Sequence, residues 1–332
     1  MLKRLLPDPF ILLLLSVVLG ASLFPAQGRG LAVAGTVSNS AIFLLFFLHG
    51  LRLAHGAVLE GVRHWRLQLA ILLCTFGIVP LLGLSASIAW PGLLSPALWV
   101  GIFFLCVLPS TVQASIASSS VAGGNVAASI IGSATSNLIA VILTPLLFSA
   151  LAHFGGVAMG LGGVAKIASL LLAPFALGQI AQRWLGAWAL RHKAWLGRLD
   201  KLTIMLTLYV AFSAAANDGI WGQLRARDMA ALVAFVLLLL AAALASCWLL
   251  GRSLGFSRQD RITLLFSGAH KSLATGAPMA RILFPGATAG LIIVPLMLYH
   301  QLQLIVSAWL AVRLAPANPS AHDQSEKDPR HA

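Results

Sequence analysis

Lys271 is the residue whose position most needs a chemical explanation. It stands inside the apolar run 262–284, with His270 and Ser272 on either side. The nine acidic residues, Asp8, Glu60, Asp200, Asp218, Asp228, Asp260, Asp323, Glu326 and Asp328, fall at the ends of such runs or between them. A charge held at mid-depth in a bilayer costs at least about 2.5–3.5 kcal/mol, so an intramembrane cation marks a candidate functional site. One central cation without a central carboxylate suits an anionic ligand and leaves little from which to build a carboxylate-based cation site. Two states of Lys271 are open. It stays charged and faces substrate or fills a cation's place, or it gives up its proton and carries the coupling proton.

Neutral polar residues gather at similar depths. Gln113 and Ser115 follow Ser110 and Thr111 in the run 97–119. Ser129, Ser133 and Asn137 are spaced by four and share one helix face. His300 and Gln303 lie in the run 290–313. Small polar residues on membrane helices also serve as packing and interhelical glue. His300 reads either as a proton carrier, with an ordinary pKa of about 6.5, or as a buried hydrogen-bonded histidine. The mid-depth titratable groups, His270, Lys271 and His300, do not compose an acid, base, nucleophile or metal set. The chain therefore reads as no enzyme, with no cofactor.

The elements that position these residues are membrane helices. Ten apolar runs, roughly 9–27, 31–51, 67–89, 97–119, 126–150, 160–182, 202–221, 229–250, 262–285 and 290–313, are each of a length to cross a ~30 Å hydrocarbon core. The chain is 59% hydrophobic and 9% charged, against about 25% charged for a soluble domain. A soluble core would leave no polar surface for water. The net charge of +13 does not indicate nucleic acid, because the basic residues sit in short loops beside the runs. Cys74, Cys106 and Cys247 all lie inside runs and read as small buried hydrophobes. The first run resembles a signal peptide but shows no clear cleavage site, and reads as a retained helix. The polar segment 314–332 reads as a disordered cytoplasmic tail.

With the N-terminus inside, sixteen Lys and Arg fall on inside segments and three, Arg29, Arg225 and Arg227, on outside segments. This positive-inside bias places both termini in the cytoplasm, in a membrane expected to be the bacterial inner membrane. Five plus five spans form an inverted repeat, because an odd number of crossings flips the second half. Spans four and nine are both broken. In span four, Pro109 removes a helix donor, and in span nine Gly268, Gly276 and Pro278 surround His270–Ser272. Interrupted helices at matching places in two halves point to a transport site.

The motifs Pro109-Ser-Thr-Val-Gln, Gly123-Gly-Asn125, Leu143-Thr-Pro145, His270-Lys-Ser272, Gly276-Ala-Pro278-Met and Leu296-Met-Leu-Tyr-His-Gln-Leu-Gln303 resemble the bile acid:sodium symporter superfamily. The likeness is greatest to the solute carrier family 10 member 7 branch and its bacterial relatives, and it covers roughly residues 5–313. It implies a transporter of residues 1–313. A core domain would hold helices about 67–150 and 229–313, with spans four and nine crossing at their breaks. A panel domain would hold helices about 9–51 and 160–221, with substrate bound between the two. It further implies ion ligands at Asn125, Ser129 and Ser133, near Gln113 and Ser115, and at Thr75, where the family has a glutamine. Ser129 and Ser133 would be the sodium ligands. The family's span-nine glutamate has no counterpart, and its register falls on Phe266 or Ser267.

The fold class expected is thus an all-α membrane protein of ten helices in two inverted repeats. The function expected is secondary transport of a small organic anion by alternating access, with Na⁺ or H⁺ as coupling ion and the lipid bilayer as surroundings. A membrane regulator that binds a ligand without net transport is the alternative.

Overall fold

The computed structural model describes residues 9–52, 64–152, 161–219, 222, 226–284, 286 and 288–316. Of the expected tail 314–332, Leu314 belongs to the last helix, and residues 317–332, with His55, Glu60 and Arg63, lie outside the described residues. All regular structure among the described residues is helical. The helices are α1 (Pro9–Leu23), α2 (Gly28–Arg52), α3 (Trp65–Ala89), α4 (Pro96–Cys106), α5 (Val112–Val121), α6 (Val126–Ala152), α7 (Leu161–Arg191), α8 (Lys193–Asn217), α9 (Ala226–Ser253), α10 (Arg258–Ala269), α11 (Leu273–Leu283) and α12 (Thr288–Leu314). Among the described residues, α2, α3, α6, α8, α9 and α12 are long and apolar enough to cross a membrane.

The surface and the interior exchange their usual roles. Leu19, Val33, Leu81, Ile142, Leu238 and Ile305 are exposed, while Ser115, Ser129, Ser133, Ser267, His270 and Lys271 are buried. A soluble monomer does not expose apolar side chains on so many of its helices. Hydrocarbon is the solvent that such an exterior fits, and the polar groups inside it find one another.

The helices pack in two sets. In one, α2 lies along α7, and α8 lies along α1 and α2. Small residues allow the first contact. A Cβ on Gly50 would come 2.1 Å from the Phe175 carbonyl oxygen, and one on Gly178 would come 2.0 Å from that of Phe47. Backbone approach of this kind is how membrane helices gain dispersion contact without a hydrophobic driving force. In the other set, α9 packs on α10, α4 on α12, and α3 and α6 on α10. The sets meet where α8 touches α11 and α12 and where α6 touches α7.

One boundary differs from expectation. Segment 183–201 had read as a basic loop, yet α7 continues to Arg191 and α8 begins at Lys193, with a turn at His192. The apolar run ends before the helix does. Residues 183–201 contain no proline and many good helix formers, so the hydrogen-bonded spiral continues after the hydropathy falls. Arg183 then lies over the Trp184 ring at 3.6 Å.

Candidate functional site

Both expected breaks are present, and they bond to each other. α4 ends at Cys106, before Pro109, and α5 begins only at Val112. α10 ends at Ala269, His270 is extended (φ −68°, ψ 148°), and α11 begins at Leu273. The Ser272 amide donates to the Pro109 carbonyl at 2.8 Å. Asn137 on α6 holds both breaks, donating from Nδ2 to the Ser110 carbonyl at 2.8 Å and accepting from Thr275 Oγ1 at 2.8 Å. Gly268 and Gly276 were expected to weaken span nine, but both lie within helices. A Cβ on Gly276 would come 2.5 Å from Leu108 Cδ1, so its missing side chain lets α11 close on the first break.

Lys271 turns away from the open space and into the protein. It is fully buried, and its ammonium donates to three backbone carbonyls: Thr75 at 2.7 Å, Cys106 at 2.6 Å and Leu108 at 3.0 Å. An ammonium has three donors and no acceptor, so this cage satisfies it completely. Each carbonyl is available for a local reason. Cys106 and Leu108 lie at the C-terminal end of α4, where helix carbonyls lack intrahelical partners and carry the negative end of the dipole. Thr75 lies in a single π turn, Cys74–Ile78, within α3. There the Val79 amide bonds to the Cys74 carbonyl instead of that of Thr75. Pro80, one residue on, has no N–H to offer. The π turn and the proline together leave the Thr75 carbonyl for Lys271. Sequence reasoning selected Thr75 for its side chain, which donates to the Gly268 carbonyl at 3.4 Å, while the backbone oxygen is the group that meets the cation.

The neighbours of Lys271 are tied as closely. The Lys271 amide donates to Gln303 Oε1 at 2.8 Å, and Gln303 Nε2 donates to the Lys271 carbonyl at 2.9 Å. Gln303 thus replaces the bonds that the broken helix has lost. Tyr299 donates to the Ala269 carbonyl at 2.7 Å. His270 is buried, with Nδ1 3.1 Å from Ser115 Oγ and 3.2 Å from Thr111 Oγ1, and Nε2 2.7 Å from Ser307 Oγ. Ser272 caps α11 by accepting from the Thr275 amide at 3.2 Å.

The shared face of α6 reaches the breaks as its spacing predicted. Ser129 Oγ lies 3.1 Å from Ser267 Oγ, and Ser133 Oγ donates to the Thr111 carbonyl at 3.5 Å. With Ser119 they form a fully buried, hydroxyl-lined group without a carboxylate. Asn125 lies elsewhere. Its Oδ1 caps α6 by accepting from the Ala128 amide at 3.0 Å, and its Nδ2 donates to Asp260 at 3.0 Å at the start of α10. Among the described residues, no group of His, Cys, Asp or Glu could hold a metal ion.

A cavity of about 680 Å³ opens between the two helix sets. On one side it meets the first turn of α5, at Val112, Gln113 and Ala114, and the first turn of α11, at Ser272–Thr275. Thr111, which also lines the cavity, makes no side-chain cap on α5, so no hydroxyl caps the amides of that first turn. Asn137 and His300 line the same wall. Of the twelve residues singled out from sequence, Gln113, Asn137, Ser272 and His300 line the cavity, and Lys271, His270, Ser115, Ser129, Ser133, Thr75, Asn125 and Gln303 are not among its lining residues. The opposite wall holds a pair that sequence reasoning missed. Arg52 donates to Asp200 from Nη1 at 2.6 Å and from Nη2 at 3.3 Å, beside Lys201. Asp200 had read as a loop residue. Leu196, Thr203 and Ile204, buried at helical spacing around it, are the signal that places it on a helix.

The breaks therefore place the carbonyls at the end of α4 on Lys271 and the first turns of α5 and α11 on a cavity, and half-helix ends are found where transporters bind ions and anionic groups. The comparisons agree. The model of the SBF-like CPA transporter family matches residues 8–316. PA2026 of Pseudomonas aeruginosa, an uncharacterized protein, is 45% identical over 94% of each chain. YfeH of Escherichia coli, whose name assigns it provisionally to the symporters, is 40% identical over 96% of each chain. Sodium/bile acid cotransporter 7-B of Xenopus laevis is 25% identical over 93% of this chain and 92% of its own. The chain belongs to the SBF-like CPA transporter family and is a transmembrane transporter of the bile acid:sodium symporter kind.

Proposed function

We propose that the protein carries an organic anion by alternating access, independently of sodium. The observation that carries this reading is the convergence of two half-helix N-termini on one cavity whose one carboxylate among the described lining residues, Asp200, is already bridged to Arg52. The aligned peptide dipoles of α5 and α11 favour negative charge at these N-termini, and the first turn of α5 carries no side-chain cap. Leu138, Val141, Ile204 and Leu304 supply apolar wall, so the anion has an apolar body.

The names of the vertebrate relatives include sodium, but this chain offers sodium little. Segment 262–284 holds no acidic residue. The carbonyl cage at the crossover is already filled by the Lys271 ammonium. In this reading Lys271 is a tethered cation, present in every state of the cycle, and the hydroxyls of Ser129 and Ser133 are packing groups. His300 is the titratable group on the half-helix wall and the candidate for a coupling proton. The proposed architecture is ten crossings in two inverted repeats. The set of α1, α2, α7 and α8 forms a panel against which the remaining helices move. Both termini lie in the cytoplasm, and the cavity opens to that side of the bacterial inner membrane. Uptake of radiolabelled carboxylates into proteoliposomes tests the reading. Flux is expected to be unchanged by a Na⁺ gradient and to respond to a pH gradient. Sodium-driven flux that Ser129→Ala with Ser133→Ala abolishes would overturn it, as would saturable binding with no flux under any gradient.

A further inference from the structure

The Arg52–Asp200 pair has no part in the crossover, yet it faces the same cavity. The cavity follows α12 from His300 to Ala308, which at the helical rise is about 12 Å. It follows α5 from its first turn to Ser118, toward the end where Gly123 nears Pro316 at the close of α12. Arg52, the last residue of α2, and Lys201, near the start of α8, line it as well. They lie about 9 Å along α2 from Phe46 and about a turn before Ile204 on α8, both apolar lining residues. The cavity thus has two electropositive regions, the paired half-helix N-termini and the Arg52–Lys201 group, with apolar side chains among its walls.

As a clasp the ion pair has little to do. Both residues belong to the same helix set, and α2 and α8 already pack on each other, with Ser38 Oγ 3.4 Å from Thr207 Oγ1. An ion pair that is 25% and 19% exposed contributes modestly to stability. The guanidinium holds Asp200 through both Nη groups, which is how arginine receives any carboxylate. Its Nε is buried without a hydrogen-bond partner among the described residues. Lys201, next in the chain, holds its ammonium over the Phe10 ring at 4.9 Å on the same cavity wall, so two cations and one carboxylate line this region.

We infer that Arg52 is a second anion subsite, that Asp200 is the internal carboxylate occupying it when the cavity is empty, and that the substrate is accordingly an organic dianion. This rests on the proposed anion site at the half-helix N-termini and extends it. One acid group of the substrate meets the amide ends of α5 and α11, and the other takes Arg52 from Asp200. The displaced Asp200 stays beside Lys201, so its charge is not left isolated.

The test uses the full-length protein in lipid nanodiscs, with binding measured calorimetrically for octanoate and for the diacids adipate, suberate and sebacate. In the wild type at least one diacid is expected to bind about tenfold more tightly than octanoate, as one added charge-assisted contact allows. Arg52→Gln is expected to bring that diacid to the octanoate level and to leave octanoate unchanged. Asp200→Asn is expected to move the other way, tightening the diacid about tenfold, because the internal competitor is gone. A clasp predicts one sign for both variants. If Arg52→Gln and Asp200→Asn weaken diacid binding alike, or if octanoate and all three diacids bind equally in the wild type, the subsite is wrong. If no anion binds the wild type, the proposed anion site itself fails. Arg52→Lys, which keeps the charge and loses the fork, separates misfolding from lost recognition and is expected to retain part of the diacid preference.

Discussion

The two helix breaks stand in contact yet are built from opposite materials. The first, between α4 and α5, is made by Pro109 and leaves acceptors. The Leu108 and Cys106 carbonyls are not claimed by α4, and the Val107 carbonyl is taken by Thr144 Oγ1 at 2.7 Å. The second, between α10 and α11, has no proline at the gap and brings donors. The Lys271 ammonium and the Ser272 amide both reach the first break. Each break is costly alone, since an unpaired backbone group in hydrocarbon costs several kcal/mol. Together they satisfy each other. A membrane protein can thus unwind two helices at mid-depth, provided that the second opening supplies donors to the acceptors the first exposes.

The mutual pairing of the two breaks depends most on Lys271. Lys271→Met removes the donors and leaves three buried carbonyls unpaired, at about 1–3 kcal/mol each. The expected outcome is a loss of at least about 3 kcal/mol of stability, read as a large fall in thermal unfolding temperature in detergent or nanodiscs. A variant as stable as the wild type would show that the cage does not depend on the ammonium.

Asn137 bonds to both breaks from a third helix. Asn137→Ala is expected to cost about 2 kcal/mol, one or two buried hydrogen bonds with their partners left unpaired. Combined with Ser110→Ala, the two losses are expected to add, since Asn137 bonds to the Ser110 carbonyl, which the alanine retains, and the lost serine hydroxyl bonds separately to Ser115 at 3.1 Å. A double-mutant thermal series checks this additivity.

The half-helix caps differ in the same way. Ser272 caps α11, and Thr111 does not cap α5. Ser272→Ala should cost about 1 kcal/mol, a normal N-cap loss. Thr111→Ala should cost less, because only its contacts with Ser115 and His270 are lost. Equal losses in thermal unfolding would contradict the uncapped first turn of α5.

The smallest effect is predicted at Pro80, and there the sign carries the information. Replacing proline in a helix interior by alanine ordinarily stabilises by about 3 kcal/mol. Here Pro80→Ala lets the π turn relax and return the Thr75 carbonyl to α3, in competition with Lys271. The expected outcome is no gain in unfolding temperature. A gain of the ordinary size would show that the π turn plays no part in holding the ammonium.

Much of this was legible in the chain itself. Periodic apolar runs with charges confined to their ends set the helices and their inside-out solvation, because hydrocarbon tolerates neither an unpaired charge nor an unpaired peptide. Pro109 and the His270-Lys-Ser272 motif located both breaks, since a residue without an N–H and a central cation are each costly unless something answers them. The four-residue spacing of Ser129, Ser133 and Asn137 placed them on one face, which meets the breaks. Where those groups point was settled only by the tertiary structure. Lys271 read as a counter-charge for substrate, a cation in an ion's place or a proton carrier, and only the packed helices show its ammonium facing three carbonyls from α3 and the α4 break. Backbone carbonyls are common to every residue and leave no mark in a sequence, so a cage built from them is invisible until the helices are packed. The Arg52–Asp200 pair was hidden for a related reason. Its members are separated by 148 positions, and their meeting depends on α2 and α8 lying side by side. Local residue types determine where a helix breaks, and long-range packing determines what the break then holds.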